Sequence, residues 1–239
     1  MSNFRSNFSD LVLLSKEPVL GYIGDKEFKI IPPKLLDYYK TPFIILMSLL
    51  EKDVEEIKDL VLGQELKSHY LLFSFILSGV DRSDEVKKLA ESILIGLQVI
   101  VPDLVFESKM FKIKGEFLDE ASFNDIIILI FKMLKKNKII INPDDDKFTR
   151  KEKEMKLKAQ RIRRNAKDKG EGGKIEDMLI SIIYTFPQYE LNDLFELNIY
   201  TIYYLFGYVG KISNYEVEKM AYATGNFKKG KKLKYFIEK

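Results

Sequence analysis

The sequence predicts a mostly α-helical, α+β fold: helices with one or two β-hairpins over residues 1–142, a basic helical linker over 143–173, and a small aromatic-rich helical domain over 174–239. Three observations carry this reading. Apolar residues recur at helical spacing in several stretches, short apolar segments flank glycine turns, and a run of Lys and Arg separates two apolar regions. At 239 residues and 46% hydrophobic content the chain has the material for a core, since single cores run to about 100–200 residues.

Taken in order, Pro18–Ile31 places Leu20–Ile23 and Phe28–Ile31 on either side of Gly24-Asp25, a pair suited to a primed turn, and so predicts a hairpin. Pro32-Pro33 presets φ for a helix bearing Leu35, Leu36 and Tyr39, which Pro42 interrupts or restarts before Ile44–Leu50. The clearest helix begins at Ser83 or Asp84 and repeats Val86, Leu89, Ala90, Ile93, Leu94 and Leu97; its facing stripe is assigned to Leu71–Leu77. A second hairpin is expected at Met110–Ile113 and Glu116–Leu118 about Lys114-Gly115. Ser122 is expected to cap a helix bearing Phe123, Ile126, Ile127, Ile130, Phe131 and Leu134, which closes the first domain near Asn137.

After Asn142-Pro143 the composition changes. Residues 147–169 hold eleven Lys or Arg against three Asp or Glu, a local +8 that leaves the rest of a +3 chain at −5. Asp144, Asp145 and Asp146 suit a helix start, few breakers follow to Asn165, and Gly170, Gly172 and Gly173 form a joint. Beyond it, Ile175, Met178, Leu179, Ile182, Ile183 and Phe186 form a stripe that Pro187 stops. Ile199, Ile202, Tyr203 and Phe206 mark a further helix, and Ser213 with Glu216 has capping-box spacing for another that Gly225 ends. A basic tail, Lys228–Lys239, follows.

The residue inventory restricts chemistry. Without cysteine there is no disulfide, thiolate ligand or thiol nucleophile, which fits a reducing compartment. Met1–Asp10 lacks a basic-then-apolar leader pattern, and the uncharged stretch around Leu71–Leu77 is short of the ~20 residues needed to span a bilayer, so a cytoplasmic location without a membrane partner is expected. His69 is the only histidine, which denies a triad or a multi-histidine metal site and makes it a packing or surface residue. Asp144–Asp146 lacks the Gly and distal Glu of a calcium loop and reads as a cap. Gly170-Glu171-Gly172-Gly173-Lys174 has no Walker spacing. No enzyme activity, metal or cofactor is expected. Nucleic acid is a secondary reading of the basic run, through Arg150, Lys158, Arg161, Arg163 and Arg164.

Aromatic density is the most unusual feature: Tyr184, Phe186, Tyr189, Phe195, Tyr200, Tyr203, Tyr204, Phe206 and Tyr208 fall within 25 residues. So small a region does not bury every ring. Helical spacing assigns Ile199, Ile202, Tyr203 and Phe206 to a local core, and Tyr200, Tyr204 and Tyr208 to an outward, protein-binding face.

The layout resembles a family. Gly21-Tyr22-Ile23-Gly24-Asp25 through Ile30-Ile31-Pro32-Pro33-Lys34, the Lys-rich middle, and Leu197-Asn198-Ile199-Tyr200-Thr201-Ile202-Tyr203 look like the tail assembly chaperones of bacteriophages and prophages of Gram-positive hosts. Ala221–Gly225 and Lys228–Lys234 sit where that family has its Ala/Gly/Lys-rich end, while Asn198 stands where Thr is usual and Gly207-Tyr208 where charged residues are frequent. The resemblance implies a non-enzymatic role in the host cytoplasm: binding the tape measure protein, keeping it soluble, and recruiting tail tube subunits. Self-association is compatible with it. The alternatives are a nucleic-acid-associated protein and a structural component kept in the finished tail.

Overall fold

The computed structural model describes residues 4–14, 17–52, 54, 56–57, 66–79, 83–134, 145–167 and 175–224. Its architecture is mostly helical, with two small three-stranded antiparallel sheets among the described residues.

The first sheet combines β1 (Phe4–Ser6), β2 (Val19–Ile23) and β3 (Lys26–Ile30) in that order, with α1 (Asp10–Leu14) between the first two. The predicted hairpin is β2–β3, paired from Val19↔Ile30 to Ile23↔Lys26. Gly24 takes φ +58, the positive value that a primed turn needs at its first position. β1 was not visible in the sequence, because three residues carry no alternation pattern.

Pro32 and Pro33 lead into a 3₁₀ helix, Leu35–Tyr39, instead of a full α-helix. Asp37 accepts from the Lys34 N–H at 2.9 Å, which satisfies one free donor at its start. Pro42 then restarts the chain as α2 (Thr41–Glu51), where a proline in the first turn loses no hydrogen bond. Next come α3 (His69–Ser78) and α4 (Asp84–Ile100), capped by Ser68 and Ser83 through the N–H groups of Leu71 and Val86. The predicted stripe of α4 does face the core: Ala90, Ile93 and Leu97 are fully buried. Its principal partner is α2, however, and α3 comes second. Gly96 explains the close approach, since a Cβ there would stand 2.9 Å from both the Pro42 carbonyl oxygen and the Leu46 Cβ.

The second sheet is a meander of β4 (Leu104–Glu107), β5 (Met110–Ile113) and β6 (Glu116–Phe117). The predicted β5–β6 hairpin turns on Lys114 and Gly115, at φ +51 and +83. The β4–β5 turn, missed in the sequence, uses Ser108 and Lys109 at φ +53 and +65; no glycine announces it. α5 (Glu120–Met133) follows. Its cap is Asp119, which accepts from the Ser122 N–H at 2.7 Å, whereas the expected cap, Ser122, lies inside the first turn and is buried. An aspartate beside the helix start satisfies the free N–H and also places negative charge at the positive dipole end. Phe73, Phe111 and Phe123 meet at the centre, with Phe111 and Phe123 ring centroids 5.0 Å apart. The expected end of this region near Asn137 lies outside the described residues.

The C-terminal half contains α6 (Lys147–Lys167), α7 (Ile175–Thr185), α8 (Leu191–Glu196) and α9 (Ile199–Ala223). The basic helix and the Pro187-terminated helix occur as expected. The two helices expected on either side of Ser213 are instead one 25-residue helix, α9. A solvated Ser is tolerated in a helix interior, so capping-box spacing alone did not create a boundary.

The regions before and after α6 share packing. Leu35 is fully buried in the C-terminal cluster with Leu179, Ile182, Leu194, Leu197 and Ile202, and Ile199 and Tyr200 belong to the large N-terminal core. Leu35 N–H donates to the Leu197 carbonyl at 2.9 Å, and Ile199 N–H to the Pro33 carbonyl at 3.1 Å. Lys34 and Glu196 form an ion pair at 2.6 Å. A basic tether is therefore not all that joins the halves. The expected boundaries at 142–143 and 173–174, the glycine joint and the basic tail lie outside the described residues. No described helix is long and apolar enough to cross a membrane.

Candidate functional site

α9 begins inside the molecule and ends outside it. Asn198 caps it by accepting from the Thr201 N–H at 2.8 Å and the Thr201 hydroxyl at 3.0 Å. Ile199, Tyr200 and Ile202 are buried, and Tyr203, Leu205 and Val209 are half-buried. Beyond Val209 the helix carries no buried residue, while Val217, Met220 and Tyr222 are 66%, 69% and 59% exposed. These three lie within two turns and present exposed apolar surface.

The outward face expected at Tyr200, Tyr204 and Tyr208 divides. Tyr204 and Tyr208 meet at 5.0 Å between centroids, tilted by 51°, with hydroxyl oxygens 3.3 Å apart, and the Lys211 ammonium sits 4.7 Å from the Tyr208 ring centre. Spacing of i, i+4 and i+7 thus produces an ordered Tyr–Tyr–Lys patch in which Tyr204 is exposed and Tyr208 half-exposed. Tyr200 is 3% exposed, so its outward assignment is corrected. The first turn of α9 is enclosed on two sides, by the N-terminal core at Tyr200 and Tyr203 and by the C-terminal cluster at Ile202 and Leu205. A two-sided helix start leaves no solvent face for Tyr200. Phe206, expected in the core, is 36% exposed because the small cluster meets α9 along Ile202, Leu205 and Val209, a line that passes beside it.

α6 carries the basic run. Arg150 is exposed on it. Lys158, Arg161, Arg163 and Arg164 fall on the same helix, with side chains outside those described. Part of the charge is neutralised locally, as Lys153 pairs with Asp145 at 2.7 Å and Lys156 with Glu152 at 2.5 Å. Asp146 caps the helix by accepting from Phe148 N–H, Thr149 N–H and the Thr149 hydroxyl at 2.6–3.0 Å. The Thr149 hydroxyl above all holds the Asp146 carboxyl below its ordinary pKa.

His69 is buried, with Nε2 3.2 Å from the Leu49 carbonyl and 3.0 Å from that of Lys52. Carbonyls only accept, so Nε2 carries the proton and serves the open end of α2. A cleft of 220 Å³ between β1 and α5 is lined by Arg5, Asp125 and Lys132 among apolar neighbours. Among the described residues no three His, Asp or Glu converge as a metal site would require.

Sequence reasoning missed two exposed groups: Ile180 and Tyr184 on α7, 66% and 89% exposed, and the Val217–Tyr222 surface. Ile180 lies off the buried stripe of its own helix, and an apolar residue off the stripe was the available signal. Compared with known proteins, the chain matches no family model, no curated protein and no solved structure.

Proposed function

We propose that this protein is a non-enzymatic tail assembly chaperone, binding an amphipathic helical client of the tape measure type and helping to bring tube subunits to it. The observation that supports the reading is the distal half of α9, which follows the Asn198 cap and presents Val217 and Met220, three residues apart, as exposed apolar side chains. A projecting helix with apolar residues on its surface binds another amphipathic helix by burying both stripes. The Tyr204–Tyr208–Lys211 patch lies on another side of the same helix, nearer the body, and supplies aromatic area with polar tips. The chemistry required is burial and hydrogen bonding, with no covalent step. The setting is the cytoplasm of a bacterial host, as in the family that the sequence layout resembles.

The test is co-expression with a tape measure protein and a tube protein of a bacteriophage of a Gram-positive host. The client is expected in the soluble fraction and to co-purify, and Val217→Ser with Met220→Ser should return it to the pellet while the protein itself stays folded. A client equally soluble with the double variant, or without the protein, overturns the reading. Retention on duplex DNA or RNA near physiological salt would favour the nucleic-acid alternative, because phosphate-only binding by α6 should fade there.

A further inference from the structure

Two other exposed faces remain, and they are complementary. On α6, Phe148, Lys151 and Met155 lie at i, i+3 and i+7 on one side; Phe148 is 80% and Met155 58% exposed, with Lys147 and Lys151 exposed beside them. On α7, Asp177, Ile180 and Tyr184 repeat the same spacing, Glu176 adjoins them, and all four are exposed. One face is an apolar pair with Lys147 and Lys151, and Glu152 beside it is paired with Lys156 at 2.5 Å; the other is an apolar pair with acids. The charge contrast extends well beyond these residues: α6 holds ten Lys or Arg against two Asp or Glu, whereas residues 175–224 hold two against seven.

Within one chain these faces are not packed together, since Phe148 and Tyr184 are among the most exposed large side chains. We propose that a second copy of this chain covers them: α6 of each copy lies along α7 of the other, in a reciprocal two-fold pair. The charges favour this occupant over an unrelated protein, because each face meets its opposite in sign on the same chain, with an apolar pair on either side. Reciprocity buries both faces twice and closes the assembly, whereas a one-way contact would leave an open end on every copy. Nucleic acid would engage the lysines of α6 and leave Phe148 and Met155 uncovered. Two helix faces of this size make a small interface, so the pair is weak and sensitive to salt.

Sedimentation equilibrium of the full chain tests the proposal. At about 0.05 M salt the 27.9 kDa chain should sediment as a dimer, and at about 0.5 M the dissociation constant should rise about tenfold or more. Lys147→Glu with Lys151→Glu should be monomeric at low salt, as should Glu176→Lys with Asp177→Lys. An equimolar mixture of the two should recover dimers, because each swapped face then meets a swapped or native opposite. Acids in a first helical turn also stabilise the helix, so Ile180→Ser with Tyr184→Ser, which keeps them, is the second route and should abolish dimers with an unchanged circular dichroism spectrum. A monomeric parent at low salt, swaps that leave the dimer intact, or a mixture that stays monomeric each overturn the proposal.

Discussion

Asn198 reaches across 185 residues of sequence: its Nδ2 donates to the Leu13 carbonyl at 2.6 Å while its Oδ1 accepts the Thr201 N–H at the start of α9. One buried amide thus caps a C-terminal helix and satisfies a carbonyl of α1, while the antiparallel bridge Lys34↔Asn198 ties the same residue to the segment before the 3₁₀ helix. Loss of the cap costs about 1 kcal/mol, and an unsatisfied buried carbonyl costs about 1–3 kcal/mol. Asn198→Ala should therefore lower stability by about 2–4 kcal/mol in urea unfolding. Asn198→Asp keeps the cap acceptor but places a carboxylate oxygen against the Leu13 carbonyl, and should be at least as damaging.

Gly96→Ala sets two effects against each other. Alanine improves an interior helix position by about 1 kcal/mol. Its Cβ, however, would meet the Pro42 carbonyl and the Leu46 Cβ at 2.9 Å, and backbone in a capped helix start has little room to move. Overpacking of this kind costs about 1–3 kcal/mol, so the variant should be less stable by a net amount up to about 2 kcal/mol. A rise in melting temperature would show that α2 and α4 can separate without loss.

Tyr200 and Tyr204 should behave oppositely although they sit one turn apart. Tyr200→Ser removes a ring from the core and should cost about 3–5 kcal/mol by thermal or urea unfolding. Tyr204→Ser changes an exposed ring and should stay within about 1 kcal/mol, including its contact with Tyr208. Comparable losses in both variants would place the two rings in equivalent environments and contradict the burial difference.

The cap of α6 carries a pH dependence with a defined sign. The folded carboxyl of Asp146 titrates below its ordinary value of 3.8, so its ionised form stabilises the helix start. That contribution is fully present above the ordinary value and is lost as the pH falls from there through the depressed folded value. A carboxyl-carbon NMR titration should find Asp146 titrating below an unstructured aspartate, and Thr149→Ala should move it back upward. Thr149→Ala without any movement would mean that the hydroxyl does not hold the carboxylate.

By itself the sequence determined the elements whose signals are local: the hairpin at Gly24-Asp25, the stripe of α4 behind Ser83, the basic helix behind Asp146, and the stop at Pro187. Each is written in a turn residue, a cap or a period of a few positions, so neighbours along the chain suffice to specify it. Local signals were insufficient at Ser122, where a better cap three residues earlier prevailed, and at Ser213, where a continuous helix did.

The tertiary structure alone decided which face of each helix is covered, because that depends on partners far away in sequence. Tyr200 is buried since α9 starts between two cores, one of which is completed by Leu35. Phe206 emerges since that second core is small, and Val217, Met220 and Tyr222 are exposed since α9 runs on past both described clusters, which meet it no further than Val209. Helical period states which residues share a side; only the arrangement of other elements states whether that side meets protein or water.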